Sequence, residues 1–343
     1  MSTEPASGQV GVLVMAHGTP SSMEELPAFV ASIRRGRPLG PAQMEALESR
    51  YRAIGGVSPL SQLTARQVEA IARCLDARAP GRFLVSYGAK HLTPSIEDAV
   101  DDLASKGVGS IVGLVLAPQY SRVSIAEYES RASSAASTAG VSFSMVKEWH
   151  LLDGFLEPLA GRVASAIASL PDEARQHALV IFSAHSIPER LVASGDPYAT
   201  QVAESAGRVA ELAGLVERVP YEVVFQSAGM TEETWLGPDI RDVLRHVRAR
   251  GSSAVVVCPV GFVSDHLEVL YDLDVEAARI AAEEGVSFVR TSSLNDDPHL
   301  MEALARLVED KASCKEPNPP EGTSGRAGMA AAARHAYVEG NAQ

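Results

Sequence analysis

Cysteine is scarce in this sequence. Cys74, Cys258 and Cys314 are the only three in 343 residues, and no two share a Cys-x-x-Cys spacing. That pattern argues against a zinc site and against a disulfide framework. Free thiols fit a reducing cytoplasm. Positive charge is also short: 30 lysines and arginines face 43 acidic residues, a formal net charge of −13. Such a chain is a poor non-specific binder of nucleic acid or of an anionic membrane, and an anionic ligand needs a local basic patch. Long apolar runs are missing too. None approaches the roughly 18 residues of a membrane span. Met1–Val10 has neither the basic start nor the apolar stretch of a signal peptide. The expectation is a cytoplasmic protein without a membrane span. No G-x-G-x-x-G follows a strand-like run, and Walker A, G-x-S-x-G and H-E-x-x-H motifs are absent. Dinucleotide, P-loop, serine-hydrolase and zincin chemistries therefore fit poorly.

What the chain does have is apolar residues, 46% of the total, enough for a packed core and too many for global disorder. They fall in short β-branched runs. Gly11–Ala16, Phe83–Tyr87, Ser110–Leu116, Ser142–Val146, Ala178–Ser183, Tyr221–Phe225, Ala254–Pro259 and Ser287–Arg290 read as buried strands. Helix-like segments such as Ile96–Lys106, Ala199–Ala213 and Pro238–Ala249 lie between them. Continuous apolar strands separated by helices predict an α/β fold with parallel sheets covered on both faces. Beyond Lys311 the chain turns rich in Pro, Gly, Ala and Ser. Residues 312–343 read as a mobile tail, with a short Ala-rich helix near Met329–His335.

The chain also repeats itself. Ala16-His17-Gly18-Thr19-Pro20 is echoed by Ala184-His185-Ser186-Ile187-Pro188. Pro94-Ser95-Ile96 is echoed by Pro238-Asp239-Ile240, and Val115-Leu116-Ala117-Pro118 by Val256-Val257-Cys258-Pro259. The order is the same in both halves, which predicts a duplicated unit, 8–150 and 151–311. Ligands of open parallel sheets bind beyond the carboxyl ends of strands, where every one of these anchors lies. A cleft between the halves follows. His17 and Pro94 are 77 positions apart, but His185 and Pro238 only 53, so the first half carries about 24 extra residues. They belong at about 21–62, which holds Arg34, Arg35, Arg37, Arg50 and Arg52. These arginines are either a solvated helical face or an anion-binding lip.

Two features point to chemistry. His185 ends a buried-looking strand, a place where a lone histidine is more often structural than functional. Glu268, Asp272 and Glu276 follow the strand at Ala254–Pro259 at intervals of four, which on a helix makes one acidic stripe. No lysine or arginine lies between Arg250 and Arg279. A solvated acidic face is the ordinary reading. Carboxylates at a strand's carboxyl end without basic neighbours also suit a divalent cation. Imidazole with carboxylate suits a first-row metal, without choosing among iron, zinc, cobalt and copper.

The motifs Ser183-Ala184-His185-Ser186-Ile187-Pro188 and Pro259-Val260-Gly261-Phe262-Val263-Ser264-Asp265-His266-Leu267-Glu268-Val269-Leu270-Tyr271-Asp272 resemble the ferrochelatases, most closely the coproporphyrin ferrochelatases of bacteria. Ile33–Arg37 and Gly55–Leu60 also look like family segments, and the likeness covers about residues 8 to 310. The resemblance implies two Rossmann-like, chelatase-type domains with parallel four-stranded sheets and a porphyrin cleft between them. It implies Fe²⁺ insertion into coproporphyrin III, with His185 and Glu268 at the inserting centre and Asp272 and Glu276 on the metal's approach. Arg34, Arg50, Tyr51, Ser58 and Tyr128 match porphyrin-contact positions. Relatives often carry a tyrosine metal ligand where this chain has His17, which is either an axial ligand or a structural histidine. Some relatives bind a [2Fe–2S] cluster through four cysteines. Three scattered ones cannot supply that set, so no cluster and no resident cofactor is expected; Fe²⁺ is a substrate. The relatives suggest a monomer, with transient haem-pathway partners. Competing readings are insertion into protoporphyrin IX, cobalt or iron chelation by sirohydrochlorin, and a non-catalytic haem carrier. The Arg-rich insertion on an acidic protein favours a four-carboxylate porphyrin and, with Gly55–Pro59, disfavours sirohydrochlorin; the acidic row is a feature that a pure haem carrier does not need.

Overall fold

The computed structural model describes residues 8–215, 218–229 and 232–314. The tail readings at 315–343, including the Met329–His335 helix, lie outside the described residues. The first half holds β1 (Val10–Ala16), α1 (Leu26–Ile33), α2 (Pro41–Ala53), α3 (Leu60–Arg78), β2 (Phe83–Ala89), α4 (Ile96–Ser105), β3 (Ser110–Val115), α5 (Ile125–Thr138) and β4 (Ser142–Val146). Then come α6 (Asp153–Ser169), α7 (Asp172–Arg175), β5 (Ala178–His185), α8 (Glu189–Ala193), α9 (Tyr198–Leu212), β6 (Tyr221–Gln226), α10 (Ile240–Val247) and β7 (Ala254–Cys258). The chain closes with α11 (Leu267–Leu270), a π-helical turn (Asp272–Ala277), α12 (Ala278–Glu283), β8 (Ser287–Arg290) and α13 (Pro298–Ser313). All eight expected strands form. The last helix runs two residues past the expected tail boundary at 312.

The strands make two fully parallel four-stranded sheets, in the orders β2-β1-β3-β4 and β6-β5-β7-β8. The two orders are the same permutation, so the repeat is one of topology as well as sequence. Its anchors superimpose in role. The Ala89 N–H donates to the Pro94 carbonyl at 2.8 Å, and the Phe225 N–H to the Pro238 carbonyl at 2.8 Å. Ser95 then caps α4 by accepting from the Asp98 N–H, and Asp239 caps α10 by accepting from the Arg241 N–H.

Strands β1–β4 lie within 8–150 and β5–β8 within 151–311, but the core does not divide there. Val12, Val14 and Leu114 of the first sheet share one apolar cluster with Val180, Phe182 and Val256 of the second, through α6 and α13. Helix α13 returns to pack on α3 and touches β3 and β4. The described residues up to Ser313 form one compact unit. The insertion builds its own small core from Leu26, Phe29, Val30 and Tyr51, against which Leu267 of the second half packs. That contact sets α1 and α2 beside the acidic segment.

Candidate active site

His17 follows β1 and His185 is the last residue of β5, and both carry the same local device. His17 Nδ1 lies 3.0 Å from the Gly18 carbonyl, and His185 Nδ1 bonds the Ser186 carbonyl. A carbonyl only accepts, so each Nδ1 carries hydrogen, and Nε2 is the atom each ring presents. Gly18 turns with φ +84°, a conformation that favours glycine. His17 is solvent-exposed, yet burial by surrounding protein lowers its pKa. His91 stands at a ring-centroid distance of 4.7 Å from His17 and is lowered to about 4, by burial and then by His17 and Lys90.

The second half places a carboxylate against its histidine. His185 Nε2 is 3.4 Å from Glu268 Oε1, and each side chain keeps 36% of its surface open. Burial alone would lower His185; the Glu268 charge outweighs it and raises the imidazole to about 9. Burial would likewise raise Glu268, and His185 outweighs it, taking the carboxyl down to about 2. At neutral pH the two are an imidazolium and a carboxylate. His185 therefore does not sit near its unperturbed value of about 6.5. Adjacent His266 is lowered to about 4 by burial, and its Nδ1 accepts from the Glu268 N–H at 3.1 Å, which fixes it as neutral with hydrogen on Nε2.

The loop that carries Glu268 is held from several sides. Asp265 accepts from Ser293 Oγ at 2.8 Å, Asn295 Nδ2 at 3.1 Å and Arg290 Nη1 at 3.2 Å. Gly261 lies so close to β5 that a β-carbon there would meet the Ala184 β-carbon at 2.5 Å, so only glycine fits beside His185. Gln226 Nε2 donates to the Glu268 carbonyl at 2.8 Å, and the buried Tyr198 hydroxyl donates to the His185 carbonyl at 3.0 Å. Gln226, Tyr198, Gly261 and His266 were not singled out in the sequence. Gln226 had a signal, since it ends a buried strand at the carboxyl edge where ligands gather.

Two expectations need correction. Glu268, Asp272 and Glu276 do not line one α-helix. A π-helical turn begins at Asp272, where the Glu276 N–H donates to the Tyr271 carbonyl five residues back at 2.9 Å. Nor is the row without basic neighbours: the insertion delivers Arg50, whose Nη2 pairs with Asp272 Oδ1 while Ser227 Oγ donates to Oδ2. Asp272 is almost fully buried, and its pKa is raised by burial against the opposing pull of Arg50. His185 and Glu268 adjoin one another, while Asp272 is held by Arg50 and Ser227. Among the described residues, no three His, Cys, Asp or Glu side chains converge on one metal position. Arg52, another arginine of the insertion, pairs with Glu48 at 2.6 Å and Glu45 at 3.0 Å.

The remaining expected residues are distributed unevenly. Arg34, Arg35 and Arg37 are exposed at the end of α1, with no carboxylate partner among the described residues; Arg34 Nε donates to the Arg37 carbonyl at 3.1 Å. Three cations at a helix C-terminus are favoured by its dipole. Tyr51 is buried next to Thr19, and burial raises its pKa. Ser58 is buried and its Oγ accepts from the Leu60 N–H at 3.3 Å. Tyr128 is packed in the core of the first sheet, with Lys90 Nζ 5.3 Å from its ring centroid.

Parallel sheets repeated in order, with an imidazole closing the first strand of each, define an α/β protein of the chelatase type. SirB from Bacillus subtilis, solved with Fe³⁺, shares this fold with a TM-score of 0.53 at 14% identity, over 89% of this chain and 96% of that one. The family model Ferrochelatase matches residues 9–312. A coproporphyrin III ferrochelatase of Geobacillus kaustophilus is 41% identical over 87% of this chain and 94% of its own. A ferrochelatase of Deinococcus radiodurans is 40% identical over 91% of this chain and 99% of its own. This chain belongs to the ferrochelatase family. It is a metal chelatase whose substrates are a porphyrin and a metal ion. Among the described residues, no helix is long and apolar enough to cross a membrane.

Proposed function

We propose that the protein inserts Fe²⁺ into coproporphyrin III to give its iron complex in haem b synthesis, as a monomer in the cytoplasm. Relatives named for coproporphyrin III, at about 40% identity over most of the chain, support the substrate. The observation on this chain that carries it is the exposed cluster Arg34, Arg35 and Arg37, without a carboxylate partner among the described residues, on an otherwise acidic protein. Coproporphyrin III has four propionates where protoporphyrin IX has two, and arginine holds a carboxylate through two parallel hydrogen bonds. Arg34 and Arg50 take propionates; Tyr51, Ser58 and Tyr128, being buried, shape the wall behind the ring. His17 Nε2 is the axial ligand offered from the first half.

Free-base porphyrin is nearly flat and has two inner N–H groups. A metal enters only when the pyrrole lone pairs tilt out of plane and both protons leave. A cleft that fits the puckered ring better than the flat one lowers that barrier. In the metal-free state His185 already holds a proton, so it can neither ligate iron nor accept a pyrrole proton. Fe²⁺ arriving at Glu268 cancels the negative charge that keeps His185 protonated. The imidazole then releases that proton to solvent, and its one free lone pair, on Nε2, either holds the ion or takes a pyrrole proton, not both at once; Glu268 is the second acceptor within reach. Asp272 and Glu276 deliver the ion along the π-helical turn.

The test is an anaerobic assay with coproporphyrin III and protoporphyrin IX side by side. Protein-dependent appearance of the iron–porphyrin spectrum, faster by at least about tenfold for coproporphyrin III, is expected from two additional charge-assisted carboxylate contacts. Equal or faster turnover of protoporphyrin IX overturns the substrate assignment.

A further inference from the structure

Arg50 occupies two roles at once. It sits on α2 of the insertion, and it pairs with Asp272, which lies 222 residues later on the π-helical turn. Its guanidinium carbon also stacks 4.8 Å from the centre of the Tyr271 ring. The two partners differ in access: the Arg50 side chain is 34% exposed, that of Asp272 only 8%. Asp272 has both oxygens engaged, one by Arg50 and one by Ser227. A metal ion arriving at Asp272 meets the guanidinium charge already bonded to that carboxylate. Arg50 is less satisfied. Its Nε is buried without a hydrogen-bond partner, which leaves one donor of the guanidinium fork unused.

We infer that the Arg50–Asp272 pair is a latch that the porphyrin opens. A propionate of the bound ring draws Arg50 away from Asp272, and the freed carboxylate then receives the metal ion. The exchange leaves no buried charge stranded: the arginine keeps a carboxylate, and the aspartate trades one cation for another. A metal ion arriving first has to displace a guanidinium from a buried carboxylate, like charge against like charge. Porphyrin before metal is the favoured order, and the ring itself licenses metal entry. The latch rests on the assignment of a carboxylate-bearing porphyrin to this cleft.

The test measures Co²⁺ binding to the full-length, porphyrin-free protein by calorimetry. Arg50→Met keeps an apolar stem against Tyr271 and removes the charge; Arg50→Gln serves as an independent second variant. Both should bind Co²⁺ about tenfold more tightly than the parent, inside the 5–150-fold span usual for coupled sites. Adding Asp272→Asn should abolish the gain. Copper coproporphyrin III, whose centre is already filled, should tighten Co²⁺ binding to the parent by a similar factor and have no such effect on Arg50→Met. Unchanged or weaker Co²⁺ binding in both Arg50 variants overturns the latch. Fe²⁺ insertion into coproporphyrin III by the parent, run alongside, separates the two ideas. Insertion with no effect of Arg50 removes the latch alone. Tighter Co²⁺ binding without insertion removes the substrate assignment and leaves the ion-pair block standing.

Discussion

The turn after β1 and the turn after β5 are copies of one device put to opposite electrical use. Both fix an imidazole by its Nδ1 against the next carbonyl, which leaves Nε2 as the free nitrogen, and His17 feels the charge of His185 and Glu268. His17 has His91 and Lys90 as neighbours, and burial leaves it neutral. His185 has Glu268, and the carboxylate keeps it charged up to about pH 9. Backbone geometry was duplicated; function diverged through the side chain standing opposite. A neutral imidazole is a ready ligand, whereas an imidazolium must first lose a proton. The first half thus offers a neutral ring nitrogen, and the second an imidazolium beside a carboxylate.

The strongest way to break this comparison is to remove one imidazole. His185→Ala should cut insertion by about 10²–10⁴-fold, the range for losing a general base, while coproporphyrin still binds, as read by fluorescence quenching. Retained turnover removes His185 from the chemistry. Glu268→Gln should make the two turns alike. With the charge gone, burial governs His185 and its pKa falls below the ordinary value of about 6.5, so it is neutral at pH 7. In the parent, the raised pKa means that Co²⁺ affinity climbs about tenfold per pH unit until pH approaches about 9. In the variant that slope should vanish above pH 7, and insertion should drop about 100-fold for loss of the paired carboxylate. A slope unchanged by the substitution contradicts the charge assignment.

A smaller effect sharpens the asymmetry of the scaffold. Gly261 follows Pro259 as Tyr120 follows Pro118, so at this point the second half has a glycine pressed against its histidine strand where the first has a tyrosine. Gly261→Ala should cost about 1–3 kcal/mol of stability by overpacking, measured as a lower urea midpoint at unchanged slope. A midpoint that does not move removes the close approach to Ala184 from the account. The mildest change is expected at His17. His17→Ala should slow insertion about tenfold or less and alter the visible spectrum of bound iron porphyrin, because an axial ligand is lost. An unaltered spectrum makes His17 structural.

The sheets were legible because parallel strands covered on both faces read as continuous β-branched runs. Val10–Ala16 and Ala254–Cys258 are of that kind. The repeat was legible because its anchors sit at turns that need particular residues, such as the caps Ser95 and Asp239. What the sequence hid was pairing across distance. Nothing local links Arg50 to Asp272, and the absence of basic residues between Arg250 and Arg279 suggested an unrelieved acidic row. The π-helical turn was equally hidden, because its apolar positions also satisfy a period of 3.6 over one turn. Nor could the charge of His185 be read in advance, since it depends on a contact 83 positions away. Helix α13 crossing back onto the first sheet followed the same rule: its amphipathic pattern says that it packs, and says nothing of where.

The measurement that tests the central contrast most directly is a nitrogen NMR titration of the metal-free protein labelled in its histidine rings. At pH 7 one cleft imidazole, assigned to His185 by its loss in His185→Ala, should show both nitrogens protonated and titrate near pH 9. His17 should show a neutral ring with hydrogen on Nδ1. A neutral His185 at pH 7, or a His17 carrying the positive charge instead, contradicts the account.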